Sequence, residues 1–229
     1  MLLLLLGCSI GEPDWLAPLP VAGAPCSSGD MQPLTGQRTL RLFLDDTEPA
    51  IVAQHTQAAA DYYRRIGLPL RIDGPPQRAP EQPLLGAGSA PEAILAPLVA
   101  FARQHAVPAQ PDIILLVVMS LVVPESPAAR WFSELSALSF SPQLTQLAAE
   151  QTGVDLRAHL GEDFTPMVLL SGEALSVRRP GKHDMLLAHE LGHALGLAHE
   201  TAPDNLLRQE RWFSCIPVLT DAQREQIVR

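Results

Sequence analysis

The chain has 229 residues, 47% of them apolar, and a formal net charge of −9. That is enough apolar material for one substantial core with appendages, and too much for wholesale disorder. The negative balance speaks against a nucleic-acid partner, whose phosphates call for a basic surface.

In chain order, Met1–Leu6 is a leucine run that leads into Gly7-Cys8. This stretch resembles the lipobox of bacterial lipoproteins, in which signal cleavage leaves the cysteine at the N-terminus and lipidated. The run is short and no basic stretch precedes it, so residues 1–8 read as a truncated signal, with an arbitrary apolar start as the other reading. The resemblance implies membrane anchoring through Cys8 and a place in the bacterial cell envelope, or secretion. No other segment approaches the ~20 apolar residues of a membrane span. Residues 9–37 are rich in Pro, Gly and Ser and read as an irregular arm.

A domain is expected over 38–229. Arg38–Leu44 predicts a first strand. Asp46 or Thr47 is a candidate cap for a helix that opens at Pro49, runs through Ile51, Ala58, Tyr62 and Ile66, and stops near Gly67. Leu68–Ile72 predicts a short strand, and the proline-rich Gly74–Ala90 a loop. Pro91–His105 has helical spacing through Ile94, Leu95, Leu98 and Phe101. Asp112–Met119 is a continuous apolar run, expected as a buried central strand. Weaker helical patterns cover Pro127–Leu138 and Pro142–Gln151. Thr165–Ser171 predicts another strand, Met185–Gly196 a helix and Thr220–Val228 a last helix. This order suggests a mixed α/β (α+β) fold, with helices packed on a sheet.

The chemistry is concentrated in His189-Glu190-Leu191-Gly192-His193-Ala194-Leu195-Gly196-Leu197-Ala198-His199. Residues four apart on a helix share a face, so His189 and His193 can hold one zinc ion at roughly 2.0–2.1 Å per nitrogen. Glu190 projects about 100° away, beside the metal but off the ligand line, where a carboxylate suits a general base. Gly196 can take the left-handed conformation that ends a helix, so that the chain turns back and delivers His199 as a third ligand. Three protein ligands leave a fourth position for water, as one catalytic zinc requires.

This string resembles the signature of the metzincin zinc peptidases and is most similar to the matrixin branch. The resemblance implies a zincin-like catalytic domain, with a twisted, mostly parallel sheet, an antiparallel edge strand and a division into an upper part (38–196) and a small lower part (197–229). It implies zinc-dependent endopeptidase activity on a peptide or protein substrate bound in extended form, with Thr165–Ser171 as the candidate edge strand. The family carries a methionine in a turn beneath the zinc; here that position is Leu207, a volume-conserving change expected to keep the turn. Glu200, which follows the third histidine, is expected to be an ordinary surface carboxylate. His183-Asp184 resembles a structural pair of the family, and Asp184 is a candidate N-cap.

No calcium-loop pattern is present, and calcium is not predicted. His55, His105, His159 and His183 read as structural or exposed. Cys26 and Cys215 are candidates for a disulfide in an exported protein. A rival role for Cys26 is a thiolate capping the zinc, as in matrixin pro-segments. Two other readings stay open: a catalytically inactive zinc-binding surface or interaction protein, suggested by Leu207, and a structural zinc domain with Cys26 or Cys215 as fourth ligand.

Overall fold

A computed structural model describes residues 24–26, 36–45, 47–79, 91–105, 112–118, 137–144, 155–177, 180, 182–209 and 212–228. The main sheet is built on β1 (Arg38–Leu44) and β4 (Ile113–Val118). β2 (Leu70–Ile72) and β3 (Gln77–Arg78) both pair with β1 in parallel, β2 along its first residues and β3 at its end. β6 (Met167–Ser171) lies parallel on the other side of β4, and β5 (Ala137–Phe140) lies antiparallel outside β6. The path is therefore β2-β1-β4-β6-β5, a mostly parallel sheet with one antiparallel edge.

The apolar run of β4 has its physical reason here. Ile113, Leu115 and Val117 point into the larger core, Ile114 and Leu116 into a second one across the sheet. A parallel strand covered on both faces has no polar side to alternate with. On the larger-core face lie α1 (Pro49–Arg65) and α5 (Leu186–Ala194); on the other lies α2 (Pro91–His105), with α3 (Leu156–Leu160) beside it. α4 (Gly172–Ser176) follows β6 directly and starts on Ser171, whose hydroxyl accepts from the Ala174 N–H.

Several expectations need correction. The cap of α1 is Glu48, without a side-chain bond, while the Thr47 hydroxyl and N–H both bind Asp45. Asp46 lies outside the described residues. The helical reading of Pro127–Leu138 fails at its end: Ala137 and Leu138 belong to β5, and residues 127–136 lie outside the described part. Four residues carry too little periodicity to overrule a helical window. Of the next predicted helix, Pro142–Gln151, the described residues Pro142–Leu144 form a 3-10 turn, and residues 145–151 lie outside the described part. The candidate edge strand is also wrong. β6 is flanked by β4 and β5, and all five of its residues are buried. Among the described residues the edge on that side belongs to β5.

The C-terminal part is tied by discrete links. β7 (His183–Asp184) pairs with β8 (Trp212–Phe213), and α6 (Asp221–Val228) closes the chain. The arm is not wholly irregular: Pro25 bridges Ile216, with backbone bonds Cys26 N–H to Ile216 O (2.8 Å) and Ile216 N–H to Ala24 O (3.1 Å). Cys26 and Cys215 form a disulfide with Cα atoms 5.0 Å apart. No helix among the described residues is long and apolar enough to cross a membrane.

Candidate metal centre

α5 is sunk in the larger core through Leu186, Leu187, Ala188, Leu191 and Ala194. Its first turn is fastened from two sides. The Leu186 N–H donates to Asp184 Oδ1 at 3.1 Å, although the cap position itself is Met185. The buried Tyr63 hydroxyl of α1 donates to the Ala188 carbonyl at 2.8 Å. The helix stops in a Schellman arrangement: the Gly196 N–H reaches His193 O (2.9 Å) and the Leu197 N–H reaches Gly192 O (3.0 Å), with Gly196 at φ +89°. That left-handed residue reverses the chain.

The reversal brings three imidazoles together. His193 Nε2 stands 2.9 Å from His189 Nε2 and 3.1 Å from His199 Nε2. Nitrogens of a tetrahedral zinc at roughly 2.0–2.1 Å would stand about 3.3–3.4 Å apart, so the cluster is near that span and slightly tight. The far side of two rings decides their chemistry. His189 Nδ1 bonds the Leu206 carbonyl at 2.8 Å, and His193 Nδ1 bonds the Leu197 carbonyl at 2.6 Å. A carbonyl only accepts, so both Nδ1 atoms carry the proton and both Nε2 atoms present lone pairs to one point.

Burial, countered by the Leu206 carbonyl and reinforced by His199, lowers His189 to about 4. Burial, then the His189 charge, lowers His193 to about 3. Burial also lowers His199. The lowered rings favour the neutral form, and the facing lone pairs of His189 and His193 repel unless a cation sits between them. Orientation by a carbonyl on the other nitrogen, as at His189 and His193, is the usual support of a zinc-binding histidine. The donor set fits zinc.

Glu190 stands beside the triad. Ser139 Oγ of β5 lies 2.5 Å from Glu190 Oε2 and 3.1 Å from its carbonyl oxygen. Burial pushes the Glu190 carboxyl up to about 7, with the Ser139 hydroxyl pulling the other way. Ser139 was not singled out from sequence. The signal was present in the alternation of β5: Leu138 and Phe140 join the second core, while Ala137 and Ser139 face the side on which α5 packs.

Beneath the triad, the turn that holds Leu207 is built by Asn205. Asn205 Oδ1 accepts from the Leu207 N–H (2.8 Å), and Asn205 Nδ2 donates to Gln223 Oε1 of α6 (2.8 Å). The same turn presents the Leu206 carbonyl to His189. Leu207 is fully buried, and its methyls stand 3.1 Å from where a Cβ on Gly192 would be. Glu200 is exposed, and its N–H donates to the Leu207 carbonyl at 3.0 Å. Cys26 and Cys215 are bonded to each other, so neither offers a free thiolate as a metal cap or fourth ligand. His55 is a buried structural residue, its Nε2 on the Leu175 carbonyl at 2.9 Å. Cys8 lies outside the described residues.

No family model matches the chain, and no curated protein does. Among solved structures, the chain is similar to metalloproteinase-II from Bacteroides fragilis, with a TM-score of 0.50 and 14% identity over 88% of this chain and 54% of that one. The chain thus spans about half the length of that protein. A zinc-dependent peptidase from Methanocorpusculum labreanum superposes with a TM-score of 0.45 and 17% identity, over 82% of this chain and 99% of that one. At 14% identity the first likeness establishes a shared fold and says nothing by itself about chemistry.

Proposed function

We propose that the chain is a zinc-dependent endopeptidase of the metzincin type, matrixin-like, that hydrolyses peptide bonds in substrates bound in extended form. The observation that carries this reading is the convergence of three imidazole Nε2 atoms, two of them aimed as lone pairs by backbone carbonyls, beside a carboxylate held by Ser139. His189, His193 and His199 would hold one zinc ion. When bound, zinc supplies Lewis acidity, acidifying a water and polarising the substrate carbonyl.

The chain's own residues do the rest. Ser139 holds one oxygen of Glu190 and leaves the other for proton transfer. Glu190 takes a proton from the attacking water and passes it to the leaving amine. A carboxyl near 7 can do both at neutral pH. The substrate lies along the outer edge of β5, where strand addition needs no rearrangement of the sheet. The Cys26–Cys215 bond supports an exported protein, in the cell envelope through a lipidated Cys8 or secreted. The inactive zinc-binding alternative rests on Leu207. Its buried packing on Gly192 fills the place beneath the helix and gives that alternative no further support.

The test is hydrolysis of a peptide library together with metal analysis. The expected result is about one zinc per chain, cleavage abolished by a chelator, and a loss of about 10²–10⁴-fold in Glu190→Gln with zinc retained. A folded protein with zinc but no cleavage would favour the binding-protein alternative. One with no metal would remove both readings.

A further inference from the structure

Arg224 on α6 is 4% exposed and Tyr62 on α1 is 2% exposed. Neither terminal nitrogen of Arg224, nor the Tyr62 hydroxyl, has a hydrogen-bond partner among the described residues. The two groups are close enough for the guanidinium charge to act on the phenol. The nearest carboxylate along α1, Asp61, is already engaged by Arg64. A guanidinium cannot shed its proton, so this charge persists inside the fold. A buried charge without a counter-charge is costly, and here the orphaned groups include three donors and no acceptor of opposite sign. Water would satisfy the donors and leave the charge; an anion answers both.

We propose that Arg224 and Tyr62 form a buried site for a small monovalent anion, a halide or a small carboxylate, that locks α6 against α1. The site is separate from the histidine cluster and does not depend on the peptidase reading. Its placement gives it structural reach. On the same helix, Gln223 fastens the Asn205 turn and Gln226 Nε2 donates to the Gly196 carbonyl at 2.6 Å. At its end, Arg38 Nη2 donates to the Ile227 carbonyl at 3.0 Å. Filling the site would steady the helix that supports the turn under the triad.

The test is thermal unfolding of the full chain at constant ionic strength, with sodium gluconate replaced stepwise by sodium chloride or sodium formate. Above the dissociation constant, the wild-type midpoint is expected to rise by about 3–5 °C per tenfold increase in the bound anion. A rise with chloride identifies a halide site and a rise with formate a carboxylate site; either supports the proposal. Arg224→Met is expected to lose the response and to unfold no earlier than the anion-free wild type, because an apolar chain of similar length carries no buried charge. Tyr62→Phe keeps the charge and loses one donor, and is expected to need about tenfold more anion for the same rise. A flat wild-type response to both anions would overturn the site, as would an undiminished response in Arg224→Met. Should Arg224→Met not fold, an unchanged response in Tyr62→Phe would do the same.

Discussion

His189 and His193 ride on a helix buried in the main core, whereas His199 arrives on the exposed segment that follows, and different physics holds the two regions. The helix is positioned by burial: its apolar face, Tyr63 below and the sheet behind. The segment 197–218 has, among its described residues, only the two-residue β8 as regular structure; it reaches the core at separate points, Leu197, Leu206, Leu207, Phe213 and Ile216, and is fastened between them by single links. These are Asn205 to Gln223, Leu206 to Val218, Glu200 to Leu207 and the Cys26–Cys215 bond. A ligand pair fixed by a core survives the loss of any one contact. A third ligand carried on an exposed stretch between scattered anchors depends more on each tie.

The largest break in that contrast comes from the disulfide. Replacing Cys26 and Cys215 by Ser should cost about 2–5 kcal/mol in denaturant unfolding, chiefly by freeing the unfolded chain. Hydrogen exchange should quicken over 199–218 while the amides of α5 keep their protection. Equal loosening of both regions would show that they are one cooperative unit and that the contrast is false.

Acidity sharpens the contrast next, on metal-free protein. The Glu190 carboxyl is raised to about 7 from an ordinary 4.5. Its contribution to stability is full below about 4.5 and is lost as pH rises through about 7. His189 and His193 are lowered to about 4 and about 3 from 6.5. Their contribution is full above about 6.5 and is lost as pH falls through those values. The metal-free fold should therefore be firmest between these two losses. Glu190→Gln should remove the decline on the alkaline side, by on the order of 1–3 kcal/mol, and leave the acid side unchanged. Unfolding midpoints of both proteins from pH 4 to 9 check this; the same alkaline decline in the variant would assign it to another group.

How much of this was legible follows the same division. The helix and its stop were readable because their signals are local: a four-residue histidine spacing, a run of core residues and Gly196 where φ is +89°. The buried strand β4 was readable because its run has no polar interruption. The edge strand was not. β5 has four residues, and its place outside β6 is set by long-range pairing. Ser139 was missed with it, since its partner Glu190 is 51 residues away. Asn205 and Gln223 were missed for the same reason: two amides in a polar stretch become informative only when the turn and α6 are brought face to face. The pairing of Cys26 with Cys215 across 189 residues was open to proposal from count alone, but its place beside the Ile216 bridge was not.

The smallest expected effects lie at the seam between the two regions, where Leu207 meets Gly192. A Cβ on Gly192 would stand 3.1 Å from both Leu207 methyls and 3.5 Å from the Tyr63 hydroxyl, so in Gly192→Ala the Leu207 side chain must give way by a few tenths of an ångström. Overpacking of this kind costs about 1–3 kcal/mol. Leu207→Met conserves volume and should cost less than about 1.5 kcal/mol, with zinc content unchanged. Methionine is unbranched at the position where leucine forks, so its chain can bend past a new methyl. In the double variant the Gly192→Ala penalty should therefore shrink by at least about 0.5 kcal/mol, a coupling that denaturant titration of the full cycle resolves. Strict additivity would mean that Leu207 does not bear on the helix, and that the turn reaches the triad only through the Leu206 carbonyl.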